Sequence, residues 1–253
     1  MAAGHSPMAQ FEVHKLIPIE IGGYDLSFTN SSLFMLLAVV CGSLLFVLAV
    51  KRDGIIPGRM QSVAEIIYDF IERQTVFNVM GEEGKKFFPL IFTIFTFIFF
   101  SNFLGLIPYS FTVTSHIIVT FAMAICVFLL VLAVGFWTHG LHFFSLFVPS
   151  GAPIWLLPLI VPIEIISFLT RPISLSVRLA ANMLAGHTML KVFAGFIVTM
   201  LSAGGVLAVF SIAPLIAGVL VTALEVLVAA IQAWVFALLT CIYLNEAVHL
   251  HEH

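Results

Sequence analysis

Two long apolar stretches in the second half of this 253-residue chain contain polar side chains, among them Arg178, His187, Glu225 and Gln232. An ionisable group within an apolar, lipid-embedded helix costs at least about 2.5 kcal/mol, so it marks a functional site by default. Arginine keeps its charge in proteins, so Arg178 cannot relay a proton, but it can attract a carboxylate and hold it ionised. A histidine and a glutamate together can pass protons near neutral pH. This set therefore predicts proton transfer beside a permanent positive charge.

The spacing of these residues predicts which of them face each other. An antiparallel hairpin that turns at the glycine pair 204–205 places His187 opposite Glu225, and Arg178 opposite Gln232. Along the first helix the two pairs are nine residues apart, which is about 13 Å. Nine residues also amount to a half-turn in angle, so we expect His187 to point away from Arg178.

The fixed positive charge of Arg178 can gate proton transfer only if a carboxylate moves past it. No carboxylate lies near enough to Arg178 in the sequence to do so. Glu164, Arg171 and Arg178 are spaced seven residues apart, so they share one face of a helix. Glu164 precedes Arg178 by 14 residues, about 21 Å along a helix, which is too far for it to be the passing group. We therefore expect the moving carboxylate to come from a partner protein, whose helix can approach closely because Arg178 has small neighbours.

The composition requires a membrane protein. Apolar residues make up 61% of the chain and charged residues only 9%, whereas soluble domains carry roughly 25% charged residues. This excludes an ordinary soluble protein and a disordered one, and the net charge of −3 indicates no surface for nucleic acid. The apolar runs are continuous rather than alternating, which predicts helices surrounded by membrane lipids and not a β-barrel.

Breaks in the apolar runs predict an all-α integral membrane protein, a polytopic helical bundle that forms a single membrane domain. Two C-terminal segments are each about twice as long as a helix that crosses the hydrocarbon core. Each segment therefore makes two spans or one long tilted helix, and the weak internal turn signals favour the tilted helix. The predicted elements are a first span (27–50), a surface amphipathic helix (60–80), two further spans (87–107 and 116–137) and a long tilted hairpin (154–200 and 206–248).

The surface helix also predicts the orientation of the chain. Its apolar residues from Val63 to Ile71 recur at helical spacing, with charged residues on the other faces. Six of the ten basic residues lie between Lys51 and Lys86. Because basic loops stay on the cytoplasmic or matrix side, we expect the N-terminus outside and the C-terminus inside.

Several segments carry a family resemblance. The run SLSVRLAANMLAGH at Ser174–His187 is the most specific, and it is supported by segments at 87–89, 102–111 and 225–245. Together they resemble subunit a of the F-type ATP synthases, over most of the chain. The resemblance implies a non-catalytic, proton-translocating stator subunit without a cofactor or a metal, in a complex that makes ATP elsewhere.

The resemblance also implies roles for single residues. Arg178 matches the family's essential arginine, which would separate two aqueous half-channels so that protons cross only by riding a rotating c-ring. His187 and Glu225 match the outer half-channel pair, and Glu164 matches an acidic residue near the inner half-channel. Polar residues beside the arginine match Asn182 and Gln232, and weaker candidates for proton translocation are Asn102 and Arg171.

The implied partners are the c-ring, the peripheral-stalk b subunits and membrane lipids. Some bacterial members carry an Asp where this chain has Gly105, so a role for that Asp does not carry over. A bacterial inner (plasma) membrane and a mitochondrial inner membrane both fit the sequence. The five predicted spans and the lack of a presequence favour the bacterial membrane.

Other interpretations remain open at this stage. A self-contained proton-coupled transporter predicts inverted repeats and broken helices, whereas the two halves of this chain are dissimilar. Arg178 alone could form a structural ion pair, and the His187–Glu225 pair could serve only packing. Near the membrane surface, Glu164 and Arg171 could extend their charges towards water. The last five residues, from His249, fit the H-x-x-E-H pattern, but no further ligand follows them, so we expect no metalloprotease.

Overall fold

The structure is a computed structural model, and it describes residues 12–21, 24–25, 27–49, 58–107, 110–148 and 154–249. Nearly all of these residues are helical, and the fold is that of an all-α polytopic membrane protein. The predicted turn residues at 108–109 and 149–153, the basic residues at 51–52 and the final residues 250–253 lie outside the described residues.

Four short strands precede the first helix. Strand β1 (Lys15–Ile17) pairs antiparallel with β4 (Phe28–Thr29), and β2 (Glu20–Ile21) pairs antiparallel with β3 (Tyr24–Asp25). The sequence predicts no strand here, because runs of two or three residues are too short to show alternation.

The first helix, α1 (Asn30–Ala49), starts where the side chain of Asn30 satisfies nearby backbone groups. Its Oδ1 accepts hydrogen bonds from the backbone nitrogens of His14 and Ser31, at 3.1 and 2.9 Å. Its Nδ2 donates to the carbonyl of Glu12 at 3.0 Å. An asparagine that bonds backbone groups at a helix start is a typical N-terminal signal.

The segment expected on the membrane surface consists of α-helical, π-helical and 3-10 helical turns in succession. Its apolar residues Val63 and Ile66 are 47% and 68% exposed, as suits a face that lies against lipid. The elements are α2 (Arg59–Asp69), a π-helix (Phe70–Phe77), α3 (Asn78–Met80) and a 3-10 helix (Gly81–Lys86).

Two further long helices follow, and then two long C-terminal ones with the short α7 between them. Among the described residues, five stretches could cross a membrane by length and composition, namely α1, α4, α5, α6 and Gly205–Val248. The bounds are α4 (Phe88–Gly105), α5 (Ile117–His139), α6 (Leu157–Ala203), α7 (Gly205–Phe210) and α8 (Ile212–Val248).

Helix α6 is continuous over 47 residues, although it contains Pro162 and Pro172. At 1.5 Å per residue it is about 70 Å long, roughly twice the hydrocarbon thickness. It ends where Gly204 and Gly205 take φ values of +69° and +58°, which residues with a side chain rarely adopt. The one-long-helix alternative therefore describes this segment.

The chain divides into two compact units. Unit 1 contains residues 1–47, 96–116 and 179–233, and unit 2 contains residues 48–95, 117–178 and 234–253. Because a helix such as α6 contributes a part to each unit, the side-chain contacts below are described within one unit at a time. The prediction of a single membrane domain stays a prediction.

Candidate functional site

The centre of the candidate site is a buried acid–imidazole pair in unit 1. Nδ1 of His187, on α6, lies 2.5 Å from Oε1 of Glu225, on α8. The side chains are only 7% and 4% exposed. The structure thus brings together the two residues that the hairpin geometry predicted to face each other. A proton that moves between these two groups changes the charge of both, which is the property a relay requires.

The close approach of Glu225 depends on a glycine beside His187. A Cβ atom placed on Gly186 would lie 2.7 Å from Oε1 of Glu225 and 2.9 Å from its Cδ. Such distances are shorter than van der Waals contact, so a side chain at this position would displace the carboxylate. Gly186 is therefore part of the site, and the sequence pattern marked it only as a small residue.

A second polar pair lies in the same unit, on the same two helices. Asn182 donates a hydrogen bond from Nδ2 to Oε1 of Gln232 at 3.0 Å. We expected Gln232 to face Arg178, which lies one helical turn earlier in the sequence than Asn182. The connection after α6 includes the short helix α7 and a turn at Ser211. Because Arg178 and Gln232 belong to different units, their facing stays a prediction.

Gln232 retains a donor that could serve a further group. Its side chain is only 4% exposed, and its Nε2 donates no hydrogen bond within the part of the chain that the structure describes. Asn182, in contrast, is exposed on the outer side of α6. The unused donor of this amide pair is therefore buried in unit 1, and Asn182 is the exposed end of the pair.

A third polar cluster surrounds Asn102, near the end of α4. Asn102 is 0% exposed. Its Nδ2 donates to the carbonyl of Ala229 at 3.0 Å, and its Oδ1 accepts from the hydroxyl of Thr114 at 2.7 Å. Sequence reasoning missed Thr114, because a threonine in a short connecting segment has no pattern that indicates a tertiary contact.

The end of α4 also explains why this chain has a glycine at position 105. A Cβ on Gly105 would lie 2.7 Å from Cγ2 of Thr112. The hydroxyls of Ser110 and Thr112 both bond the carbonyl of Gly105, at 3.1 and 3.4 Å. The chain after α4 therefore folds back onto Gly105, and an aspartate would not fit there without rearrangement.

Unit 2 contains an ion pair that links two distant parts of the sequence. Nη1 of Arg171 pairs with Oε2 of Glu246, and the two side chains are 21% and 32% exposed. The guanidinium carbon of Arg171 also lies 4.9 Å from the ring centre of Tyr243 and 5.2 Å from that of Phe168. Arg171, a weaker candidate for proton translocation, is therefore fixed within its unit by a carboxylate and two rings.

The other charged candidates on α6 are not paired in this way. Arg178 is exposed, and within unit 2 it makes no ion pair with any carboxylate among the described residues. Glu164 is half-buried and likewise has no cationic partner among the described residues of its unit. Within unit 2, both charges are therefore without an oppositely charged partner among the described residues.

The surface segment contacts α8 through its π-helix. Nε1 of Trp234 donates to the hydroxyl of Thr75 at 3.1 Å, and Thr75 is fully buried. The ring of Phe70 lies 5.9 Å from that of Trp234. A π-helix has a wider turn than an α-helix and often occurs at a functional site. We therefore expect this contact between the π-helix and α8 to contribute to the stability of unit 2.

Among the described residues, no group of three or more His, Cys, Asp or Glu side chains could hold a metal ion. Taken within their units, the residues described above supply one acid–imidazole pair, one amide pair with an unused donor and one arginine without a carboxylate partner.

Comparison with known proteins identifies what this chain is similar to. The family described as ATP synthase A chain matches residues 32–245. A protein named ATP synthase subunit a from Mesorhizobium japonicum is 55% identical over 243 residues, which cover 96% of this chain and 96% of that protein. Proteins with the same name from Allorhizobium ampelinum and Rhizobium leguminosarum bv. trifolii are 54% and 56% identical, over 98% of this chain and 99% of each relative.

Proposed function

Because this chain belongs to the ATP synthase A chain family, we propose that it is the proton-conducting stator subunit of a rotary F-type ATP synthase. In this role the subunit catalyses no bond chemistry, needs no cofactor, and ATP is made in another part of the complex. It provides two aqueous half-channels that load protons onto a ring of c subunits and unload them again. The flow of protons then turns the ring.

The observation that carries the proposal is the contact between His187 and Glu225. Two titratable groups that lie 2.5 Å apart in a buried place can pass a proton from one to the other. A pair of this kind favours protons over sodium ions, because an imidazole is a poor ligand for a hard cation. We assign the pair to the outer half-channel.

Arg178 is the proposed gate between the half-channels. A permanent charge on an apolar helix is costly unless it has a partner, and Arg178 has no carboxylate within its unit. A carboxylate on each c subunit would provide this partner in turn, and Asn182 and Gln232 would contribute hydrogen bonds beside it. The arginine would hold each arriving carboxylate ionised and so prevent protons from passing directly between the half-channels.

The remaining assignments concern orientation and partners. Glu164 lies 14 residues before Arg178 on α6, and we place it near the inner half-channel. The N-terminus would lie outside and the C-terminus inside, in a bacterial plasma membrane, as suits the rhizobial origin of the relatives. Besides the c-ring, the expected partners are the peripheral-stalk b subunits and lipids.

The test compares the whole complex with Glu225→Gln against wild type, in lipid vesicles. Proton-driven ATP synthesis should fall about a hundredfold, the usual scale for the loss of an acid–base group. ATP hydrolysis by the catalytic sector, released from the same membranes, should keep its wild-type rate. A matched control is Thr240→Val, because Thr240 is also buried on α8 but bonds only the carbonyl of Phe236 in its own helix.

Two results would contradict the proposal. One is wild-type synthesis by an assembled Glu225→Gln complex. The other is an equal loss of synthesis in Glu225→Gln and in the control Thr240→Val, since this would mean that any change of a buried polar side chain on α8 disturbs the subunit. If the first variant fails to assemble, His187→Gln replaces it, with the same expected loss.

A further inference from the structure

We propose that Asn102 is a positioning residue, which holds the part of α8 that carries Glu225 and Gln232 and transfers no proton itself. The inference rests on the proposed function, because it concerns the geometry of the proton-exchanging pair. It replaces the weaker interpretation in which Asn102 takes part in translocation directly.

The bond from Asn102 reaches the middle of α8. The carbonyl of Ala229 accepts from Nδ2 of Asn102, and both residues are 0% exposed. An interior carbonyl of a helix already accepts the N–H four residues later, and its second lone pair can accept one more donor. Asn102 therefore attaches α4 to α8 without breaking the helix.

The attachment point lies between the two functional residues of α8. Ala229 follows Glu225 by four residues and precedes Gln232 by three. Residues at these spacings lie on the same face of a helix, about one turn above and below. A bond at Ala229 thus restrains the rotation and the height of both side chains. A shift of about 1 Å is enough to disturb a proton-exchanging contact, which needs hydrogen-bond distance.

The orientation of the Asn102 amide is fixed by Thr114. The hydroxyl of Thr114 donates to Oδ1, so that the amide nitrogen is the end that faces Ala229. Thr114 is itself 0% exposed, so water does not compete for its hydroxyl. Thr114 lies in a one-turn 3-10 helix (Val113–Ser115) that follows α4. The two bonds form a chain from this turn through Asn102 to α8.

A relay role for Asn102 is disfavoured by the same contacts. A carboxamide has no proton that it gains or loses near neutral pH. Its oxygen is occupied by a hydroxyl, one of its N–H groups is occupied by a carbonyl, and the side chain is fully buried. A positioning role uses the bonded oxygen, the bonded N–H group and the full burial of the side chain.

Three substitutions in the whole complex separate positioning from relay. Asn102→Leu keeps the approximate size and removes both bonds. Asn102→Asp keeps the shape and adds a titratable group, but it turns an oxygen towards the carbonyl of Ala229. Thr114→Val keeps Asn102 and removes only the donor that orients it. Each should lower proton-driven ATP synthesis about fivefold, the scale of one net hydrogen bond.

The pH dependence of synthesis supplies a readout that general destabilisation does not move. The pH on the side where protons enter is varied while the membrane potential is adjusted to keep the driving force constant. We expect the midpoint of this pH profile to differ from that of wild type in each of the three variants, because Glu225 no longer sits in one fixed position against His187. Thr114→Ser keeps the hydroxyl donor, so this variant should have the wild-type midpoint.

A matched control has the same chemistry in the other unit. The hydroxyl of Thr120, also 0% exposed, shares a hydrogen bond of 3.1 Å with that of Ser176. Thr120→Val therefore removes a comparable buried bond, and it should leave the midpoint unchanged. If Asn102→Leu does not assemble, Thr114→Val and Thr114→Ser decide alone.

Two results would overturn the inference. Wild-type synthesis with Asn102→Asp would mean that a titratable group serves as well as the amide, which a relay allows and a positioning bond does not. An unmoved midpoint in Thr114→Val would mean that the bond supports only packing. Glu225→Gln is measured alongside: if it loses synthesis while Thr114→Val matches wild type, the positioning role fails alone. If Glu225→Gln keeps synthesis, the proposed function itself fails.

Discussion

Gly186 offers the sharpest perturbation of the buried pair. In Gly186→Ala, the new methyl group meets Oε1 and Cδ of Glu225 at 2.7 and 2.9 Å, so the carboxylate has to move away from His187. Adding a methyl group to a well-packed site costs about 1–3 kcal/mol. If the whole of this free energy opposes the position of the Glu225 carboxylate beside His187, proton-driven synthesis decreases about fivefold to 150-fold.

The assay is proton-driven ATP synthesis by the purified complex in vesicles, with the amount of assembled complex measured in the same sample. Alanine is the better helix former by about 1 kcal/mol, so α6 itself should not be weakened. A double variant with Glu225→Asp tests the cause directly. The shorter aspartate leaves room for the methyl group, so part of the lost rate should return.

The control is the same substitution at Gly218, which lies on α8 seven residues before Glu225 and so on the same side of the helix. A Cβ there would lie 3.9 Å from Cβ of Phe193, an ordinary contact. Gly218→Ala should therefore keep wild-type synthesis. The reasoning is refuted if Gly186→Ala behaves like Gly218→Ala, because the position of the carboxylate would then not matter.

Two further predictions concern contacts in unit 2. Glu246→Gln leaves the partly buried guanidinium of Arg171 without its carboxylate and should lower the free energy of unfolding by about 1–3 kcal/mol. Thermal denaturation of the complex in detergent measures this, and an unchanged midpoint would contradict it. Thr75→Val removes the hydroxyl that accepts the N–H of Trp234, so it should cost about 1 kcal/mol. In a Trp234→Phe background, which already lacks this N–H, Thr75→Val should cost less than it does in wild type; additive losses would show that the two side chains act separately.

The sequence predicted the parts of this protein that depend on local or periodic signals. Long charge-free runs indicated spanning helices, and the paired glycines at 204–205 indicated the end of α6. Both signals are local, because each determines the structure of the residues that carry it. The facing of His187 and Glu225 also followed from helix geometry on either side of that turn. These features need only the period of a helix and the position of its end.

Other contacts could not be predicted because they join distant residues that have no shared pattern. Glu246 lies 75 residues from Arg171, and Thr114 lies 12 residues from Asn102 across a bend in the chain. The hydrogen bond between Asn182 and Gln232 was likewise not predicted, although both residues were singled out, because helix periodicity gives the face of a residue and not its bonding partner. That Gln232 faces Arg178 stays a prediction.

The role of Arg178 is tested most directly by Arg178→Ala in the whole complex, with proton-driven synthesis and passive proton leak recorded in the same vesicles. A matched control is Arg73→Ala, which removes an exposed arginine from the surface segment, where it pairs with Asp69 at 3.9 Å. We expect the assembled Arg178→Ala complex to lose synthesis and to leak protons at least as fast as wild type, while the control keeps both wild-type values. Wild-type synthesis by the assembled Arg178→Ala complex would contradict the proposal that this charge separates the two half-channels.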